Sequence, residues 1–113
     1  LSSTMADVLE IKNWSAVLNR SGSKFPFINS LKSMTGHSLG ASGAIETIAA
    51  ILQMHNNFIF PSINCDDINP QILKLIDSDK IVRQLIEEIE LKVVAKSSFG
   101  FGDINSSLIL KKI

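Results

Sequence analysis

Residues 35–52 read TGHSLGASGAIETIAAIL, with Gly36, Gly40 and Gly43 gathered around His37 directly ahead of an apolar run. From Gly40 onward, Ala41, Ala44, Ile45, Ile48, Ala49, Ile51 and Leu52 cover most of a helix circumference. A helix apolar on nearly every side is a buried one, so the stretch predicts a central helix with a Gly-rich start. Such a start exposes unpaired backbone N–H groups and the positive end of the helix dipole. Small residues there let another chain or a ligand come close to the backbone. That pole disfavours a second positive charge, so His37 is expected to stay neutral and donate a hydrogen bond to an oxygen. It becomes a candidate for polarising a carbonyl or steadying an enolate. Taken alone, the stretch leaves open a simpler alternative, a packed or solvated histidine in a common kind of turn. A phosphate loop is a poor match, because GHSLGASG has no Lys-Ser or Lys-Thr after its last glycine and no G-x-G-x-x-G is present.

Glu46 is the only carboxylate in the apolar run. A buried carboxylate needs a partner, and Lys32 is the nearest basic residue in sequence. The alternative is that Glu46 reaches solvent. The second unusual stretch is SSFGFGDINSS (97–107), where Phe99 and Phe101 alternate with Gly100 and Gly102. Bulky rings on a permissive backbone suit a gate. They equally suit a strand-to-strand turn with two core aromatics. His55, in MHNN, needs only helix capping or solvent as its explanation. Cys65 precedes two aspartates, which disfavour a thiolate nucleophile.

The composition bounds the rest. The chain has 113 residues, 45% hydrophobic and 19% charged, which fits one globular domain or half of a larger one. Eleven basic residues balance eleven acidic ones, which argues against a nucleic-acid or membrane-surface role. A single cysteine rules out an intrachain disulfide and argues against a zinc cluster, and a reducing cytoplasmic setting fits it. No apolar stretch reaches the roughly 18 residues of a membrane span. LSSTMADVLE has no signal-peptide character and begins with Leu1 rather than Met, so it reads as a chain entered midway.

Thr4 and Asp7 form a capping-box-like start, and Val8, Ile11, Ser15 and Leu18 continue at helical spacing until Gly22 and Pro26. Residues 25–33 predict a short strand running into a loop. In 56–64 a turn leads to an extended segment with Pro61. Asn69 and Pro70 predict a capped helix over 69–76. Residues 79–90 match a helical face and then a strand. Residues after FGFGDIN form a closing strand. The order predicts a layered α/β unit.

Taken together, these stretches resemble the C-terminal half of the β-ketoacyl-acyl carrier protein synthases, the condensing enzymes of fatty acid and polyketide synthesis. LKSMTGHSLGASGAIE (31–46) is similar to the family's Lys-x-x-x-Thr-Gly-His-x-x-Gly-Ala-Ala-Gly signature with its downstream Glu. FIFPSIN (58–64) resembles its Pro-Ser-Ile-Asn element, and SSFGFGDINSSLILKK (97–112) its closing Asn-Ser-Phe-Gly-Phe-Gly-Gly-Thr-Asn strand pair. The resemblance runs along nearly all of residues 1–113. It implies a thiolase-like α/β fold, layered αβαβα, of which this is a partial C-terminal domain, incomplete without the N-terminal half.

The resemblance also implies a decarboxylative Claisen condensation of an acyl thioester with malonyl-acyl carrier protein. No cofactor is expected beyond the phosphopantetheine arm carrying the substrates. Acyl carrier protein is the implied partner, and the complete protein is expected to be a cytoplasmic homodimer. His37 matches one of the family's two catalytic histidines, Lys32 and Glu46 its supporting pair, and Phe99 its gate, whose backbone N–H helps form an oxyanion hole. Ser3, Thr35 and Phe101 fall at substrate-contacting positions; no metal is implied. The other histidine would stand two positions before Leu1, and the nucleophilic cysteine belongs to the first half, so the isolated chain is expected to be inactive. The sequence departs from the family at Leu1, Thr4, Ala6, Ser97, Asp103 and Ile104. Leu1 lacks a hydroxyl for pantetheine, and Asp103 puts a charge and a Cβ where glycine freedom is expected. These departures motivate an alternative, a non-catalytic partner subunit of the chain-length-factor type. A thiolase is disfavoured because its closing signature has a cysteine and glycines where SFGFGDIN stands.

Overall fold

The computed structural model describes residues 5–113. Its elements are α1 (Ala6–Leu18), α2 (Lys32–Thr35), α3 (Ser42–Asn56), β1 (Phe58–Ile59), α4 (Pro70–Leu73), β2 (Ile86–Glu87), β3 (Val93–Gly100) and β4 (Ile104–Lys111), a mixed α/β arrangement. The chain divides into two compact units. Among the described residues, one comprises 5–36 and 61–84, the other 37–60 and 85–113.

The first unit has a closed apolar core. Ile11 of α1 packs with Phe25, Ile72, Ile76 and Ile81, and Val8, Trp14, Ile28 and Leu75 surround them. Phe25 and Ile76 are only 2% and 1% exposed. The α1 helix stops at Leu18, before Gly22, because Asn19 takes the left-handed conformation that closes a helix. At the other end Met5 provides no side-chain cap, and the capping role read for Thr4 lies outside the described residues. Burial raises the Asp7 carboxyl above its usual pKa. The cap read at Asn69 is present: its Oδ1 accepts from Gln71 N–H at 2.9 Å, with Pro70 opening α4.

Residues 25–33 form no regular strand. Ile28 makes an isolated parallel bridge to Ile81, its N–H donating to the Lys80 carbonyl at 2.8 Å. The helical face read over residues 79–90 is not formed either. Ser78–Lys80 makes a single 3-10 turn and the chain then runs extended. Parallel pairing to Ile28 and acceptance of the Ser62 N–H by the Val82 carbonyl claim this backbone instead. The same pairing buries Ile81 and Val82.

In the second unit α3 packs against β1 and the β3–β4 hairpin. Its packed stripe is Ser42, Glu46, Ala50, Gln53 and Met54, a spacing of three and four that follows one helix face. Gln53 Oε1 accepts from Phe60 N–H at 3.1 Å, tying the helix end to the segment after β1. The rest of α3 differs from the expectation of a helix buried all round. Ile45, Ile48, Ile51 and Leu52 are exposed, Ile48 by 58%. Within this unit only one side of the helix has a covering surface, so its second apolar side faces outward. Among the described residues no helix is long and apolar enough to cross a membrane.

Candidate active site

The Gly-rich motif folds into a sequence of tight turns. Gly36 closes α2 with φ +72°, a conformation that side chains resist, and its N–H donates to the Lys32 carbonyl at 2.9 Å. The chain then passes His37 and makes one 3-10 turn, Leu39–Ala41, into α3. Leu39 has φ +51°, which costs a non-glycine residue roughly 1–2 kcal/mol. Its compensation is local. In this turn the Leu39 N–H donates to His37 Nδ1 at 2.9 Å. The Ser38 N–H donates to Ser42 Oγ at 2.9 Å, and that oxygen lies 3.1 Å from His37 Nδ1.

These bonds fix the histidine tautomer. A backbone N–H can only donate, so Nδ1 is an acceptor, and the proton of the neutral ring resides on Nε2. Ser42 Oγ accepts from Ser38 N–H and packs against the same side of the ring, beside the Nδ1 that takes the Leu39 N–H. The ring is therefore clamped at one nitrogen by the start of α3, while Nε2–H is left to donate elsewhere. His37 is exposed in this chain. A Cβ at Gly40 or Gly43 would meet no atom of another element within 4 Å, so nothing among the described residues packs closely enough to require their small size.

Glu46 lies one turn beyond Ser42 on the same helix face. It does not reach solvent freely: its Oε2 is 3.2 Å from Lys96 Nζ, and the two side chains are 15% and 14% exposed. Lys96 comes from β3, where Val94, Lys96 and Ser98 share a face by strand alternation and are all partly buried. Its ammonium also donates to Ser98 Oγ. The sequence reading missed both Ser42 and Lys96. A signal for Lys96 existed, since a lysine at an inward strand position needs an acidic partner and Glu46 is the one acid on α3.

Phe99 follows Ser98. The hairpin pairs Phe99 with Asn105 and Gly100 with Ile104, and the Lys112 N–H donates to the Lys92 carbonyl. Antiparallel pairs alternate between bonded and non-bonded, so counting by twos from the bonded Lys92–Lys112 pair makes Ser98–Ser106 bonded and Phe99–Asn105 non-bonded. The Phe99 N–H consequently points away from β4. Residues 101–103 form the turn, with Gly102 at φ +78° and Asp103 at φ +60°. The glycine-like conformation expected at Asp103 is thus present, and Asp is one of the few side chains that tolerate it. Neither aromatic is a core residue here: Phe99 is exposed, and Phe101 is 97% exposed at the turn, lining no pocket wall within this unit.

The second unit therefore brings together His37, Ser42, Glu46, Lys96, Ser98 and Phe99 along the start of α3 and the end of β3. Lys32 and Thr35 belong to the first unit, at the first and last positions of α2. Lys32 is partly buried, and the exposed Thr35 hydroxyl donates back to the Leu31 carbonyl at 3.2 Å. Ser3 lies outside the described residues.

Residues 1–66 match the family described as beta-ketoacyl synthase, C-terminal domain. The chain is 42% identical over 109 residues to 3-oxoacyl-(acyl-carrier-protein) synthase 1 of Haemophilus influenzae, covering 96% of this chain and 26% of that protein. It is 39% identical over 112 residues to the synthase 2 of Vibrio harveyi, covering 99% and 26%. Against the synthase 1 of Buchnera aphidicola subsp. Schizaphis graminum identity is 47% over 89 residues, covering 79% and 21%. The chain thus spans about a quarter of the length of the curated relatives it matches. With the histidine turn leading into α3 and the aromatic hairpin beside it, the chain belongs to the beta-ketoacyl synthase family, and its mixed α/β fold is part of the C-terminal half of that family's thiolase-like architecture.

Proposed function

We propose that the protein carrying this chain is a 3-oxoacyl-acyl carrier protein synthase of fatty acid or polyketide synthesis. In this reading an acyl group moves from a carrier thioester to a cysteine outside this chain, releasing the carrier thiol. A malonyl thioester then loses carbon dioxide to leave an enolate. The enolate carbon attacks the acyl thioester carbonyl, and the cysteine thiolate departs. The observation that carries the proposal is the clamped His37 ring. With Nδ1 engaged by Leu39 N–H and Ser42, its Nε2–H is a fixed donor for the malonyl thioester oxygen, which gains negative charge as carbon dioxide leaves.

The outward-turned N–H of Phe99 fits the second oxyanion, formed when the enolate attacks. Phe99 itself is the gate and Phe101 a pocket-wall residue once the rest of the protein is present. Lys32 and Glu46 orient the site, and Thr35 and Ser3 contact the pantetheine arm of an acyl carrier protein. No further cofactor or metal enters the scheme. The whole protein acts as a cytoplasmic homodimer, and this chain alone is inactive because the nucleophilic cysteine and first histidine are not in it. The left-handed Asp103 keeps the hairpin turn geometry, which favours this reading over a non-catalytic partner subunit.

The test is His37→Ala in the complete protein. Removing one such donor costs about 10²–10³ in rate. Malonyl-carrier decarboxylation should fall by at least about 100-fold with the thermal melt unchanged. Unaltered decarboxylation would remove His37 from the mechanism.

A further inference from the structure

Lys96 is a charged residue on a strand face that otherwise carries Val94, Ser98 and Gly100. A lysine turned inward must be paired, and it is paired twice, to the Glu46 carboxylate of α3 at 3.2 Å and to the Ser98 hydroxyl. Neither contact is a loose surface bridge, since both side chains of the ion pair are about 85% covered. The two partners sit at consequential places. Glu46 is one helical turn past Ser42, whose hydroxyl holds the His37 ring. Ser98 immediately precedes Phe99, whose N–H is turned away from β4.

We infer that Lys96 is a positioning residue, tying the helix turn that follows Ser42 to the strand residue that precedes Phe99. The inference rests on the function proposed above. The ammonium acts on the reaction through Ser98: if that side chain is released, the peptide plane shared by Ser98 and Phe99 loses its anchor on the α3 side. The β4 pairing of Ser98 remains, so the hairpin survives while its last pairs before the turn loosen. On the other element, Glu46 loses the contact that holds its carboxylate toward β3.

The experiment compares Lys96→Met and Lys96→Arg with the wild type in the complete protein. It follows condensation kinetics, thermal melting and residue-resolved amide hydrogen exchange, with Ser98→Ala as a milder variant. Misplacing a reacting donor by about 1 Å costs up to roughly 100-fold in rate, so Lys96→Met should lower kcat by about 10- to 100-fold. KM for malonyl-carrier protein should change little, and Lys96→Arg should restore most of the rate. Exchange should accelerate at Phe99 and Gly100 but not at Leu108–Leu110. Wild-type kcat and unchanged exchange at Phe99 in Lys96→Met would overturn the inference. So would a loss of protection spread evenly through β3 and β4 with kcat following the melting temperature, the signature of a merely structural ion pair. If the wild-type protein itself fails to condense, the proposed function falls, and the exchange pattern still decides the role of Lys96.

Discussion

Phe25 and Ile76 are sealed inside the first unit, whereas in the second Ile48, Ile51 and Leu52 of α3 stand open, as do Ile104 and Ile109 of β4. Both units leave apolar side chains at the surface, Leu9 and Val17 of α1 among them, but only the first closes an apolar core around its largest buried residues, whereas the second leaves one whole side of α3 open. Of the residues given roles in the proposed chemistry, His37, Glu46 and Phe99 belong to the open unit, and Lys32 and Thr35 to the first. The difference is that one apolar face of α3 has no covering surface among the described residues. The polar stripe of the same helix, from Ser42 to Gln53, serves the site and the hairpin.

Paired truncations break or sharpen that contrast. Phe25→Ala should destabilise by about 3–5 kcal/mol, the usual loss for a buried aromatic. Denaturant unfolding followed by Trp14 fluorescence reports on this core. Ile48→Ala in this chain alone should cost under about 1 kcal/mol, since more than half of the side chain is already wet. In the complete protein the same change should cost about 2–4 kcal/mol, as the face is then covered. Equal costs in both settings would mean the helix face is a true outer surface.

Within the open unit Ser42→Ala should lower turnover by about tenfold, the equivalent of one hydrogen bond of about 1.4 kcal/mol. It removes both the hydroxyl packed beside His37 Nδ1 and the acceptor for Ser38 N–H. Full activity in that variant would show that Leu39 N–H alone holds the ring. The smallest effect is expected at the hairpin. Asp103→Gly should stabilise by about 0.5–1 kcal/mol, because φ +60° is free for glycine and strained for aspartate. A melting temperature lowered by this change would point to a contact of the Asp103 side chain that outweighs the strain.

The parts of this fold legible in sequence are those decided locally. The start of α3 follows from glycines and a small-residue run, and the cap at α4 from Asn69 and Pro70. The closing hairpin follows from Gly102 between two β-rich segments. The parts not legible depend on residues far apart in the chain. Ile28 and Ile81 pair in parallel across more than fifty positions, so neither the strand read at 25–33 nor the helix read after 79 could form as expected. The lysine brought to Glu46 by strand alternation, Lys96, is fifty residues away from it. Ser42 was hidden among small residues, and only the turn geometry shows that its hydroxyl reaches back five positions to the ring.

The central claim is that the start of α3 holds His37 as an acceptor at Nδ1 and a donor at Nε2. Nitrogen-15 correlation spectra of the imidazole ring, in the complete protein with His55 replaced by Gln to simplify assignment, measure this directly. The expected pattern for the neutral ring is a bare Nδ1 coupled to the Leu39 amide and a protonated Nε2. A ring protonated at Nδ1 with Nε2 bare would contradict the account, because no fixed donor would then face the thioester oxygen.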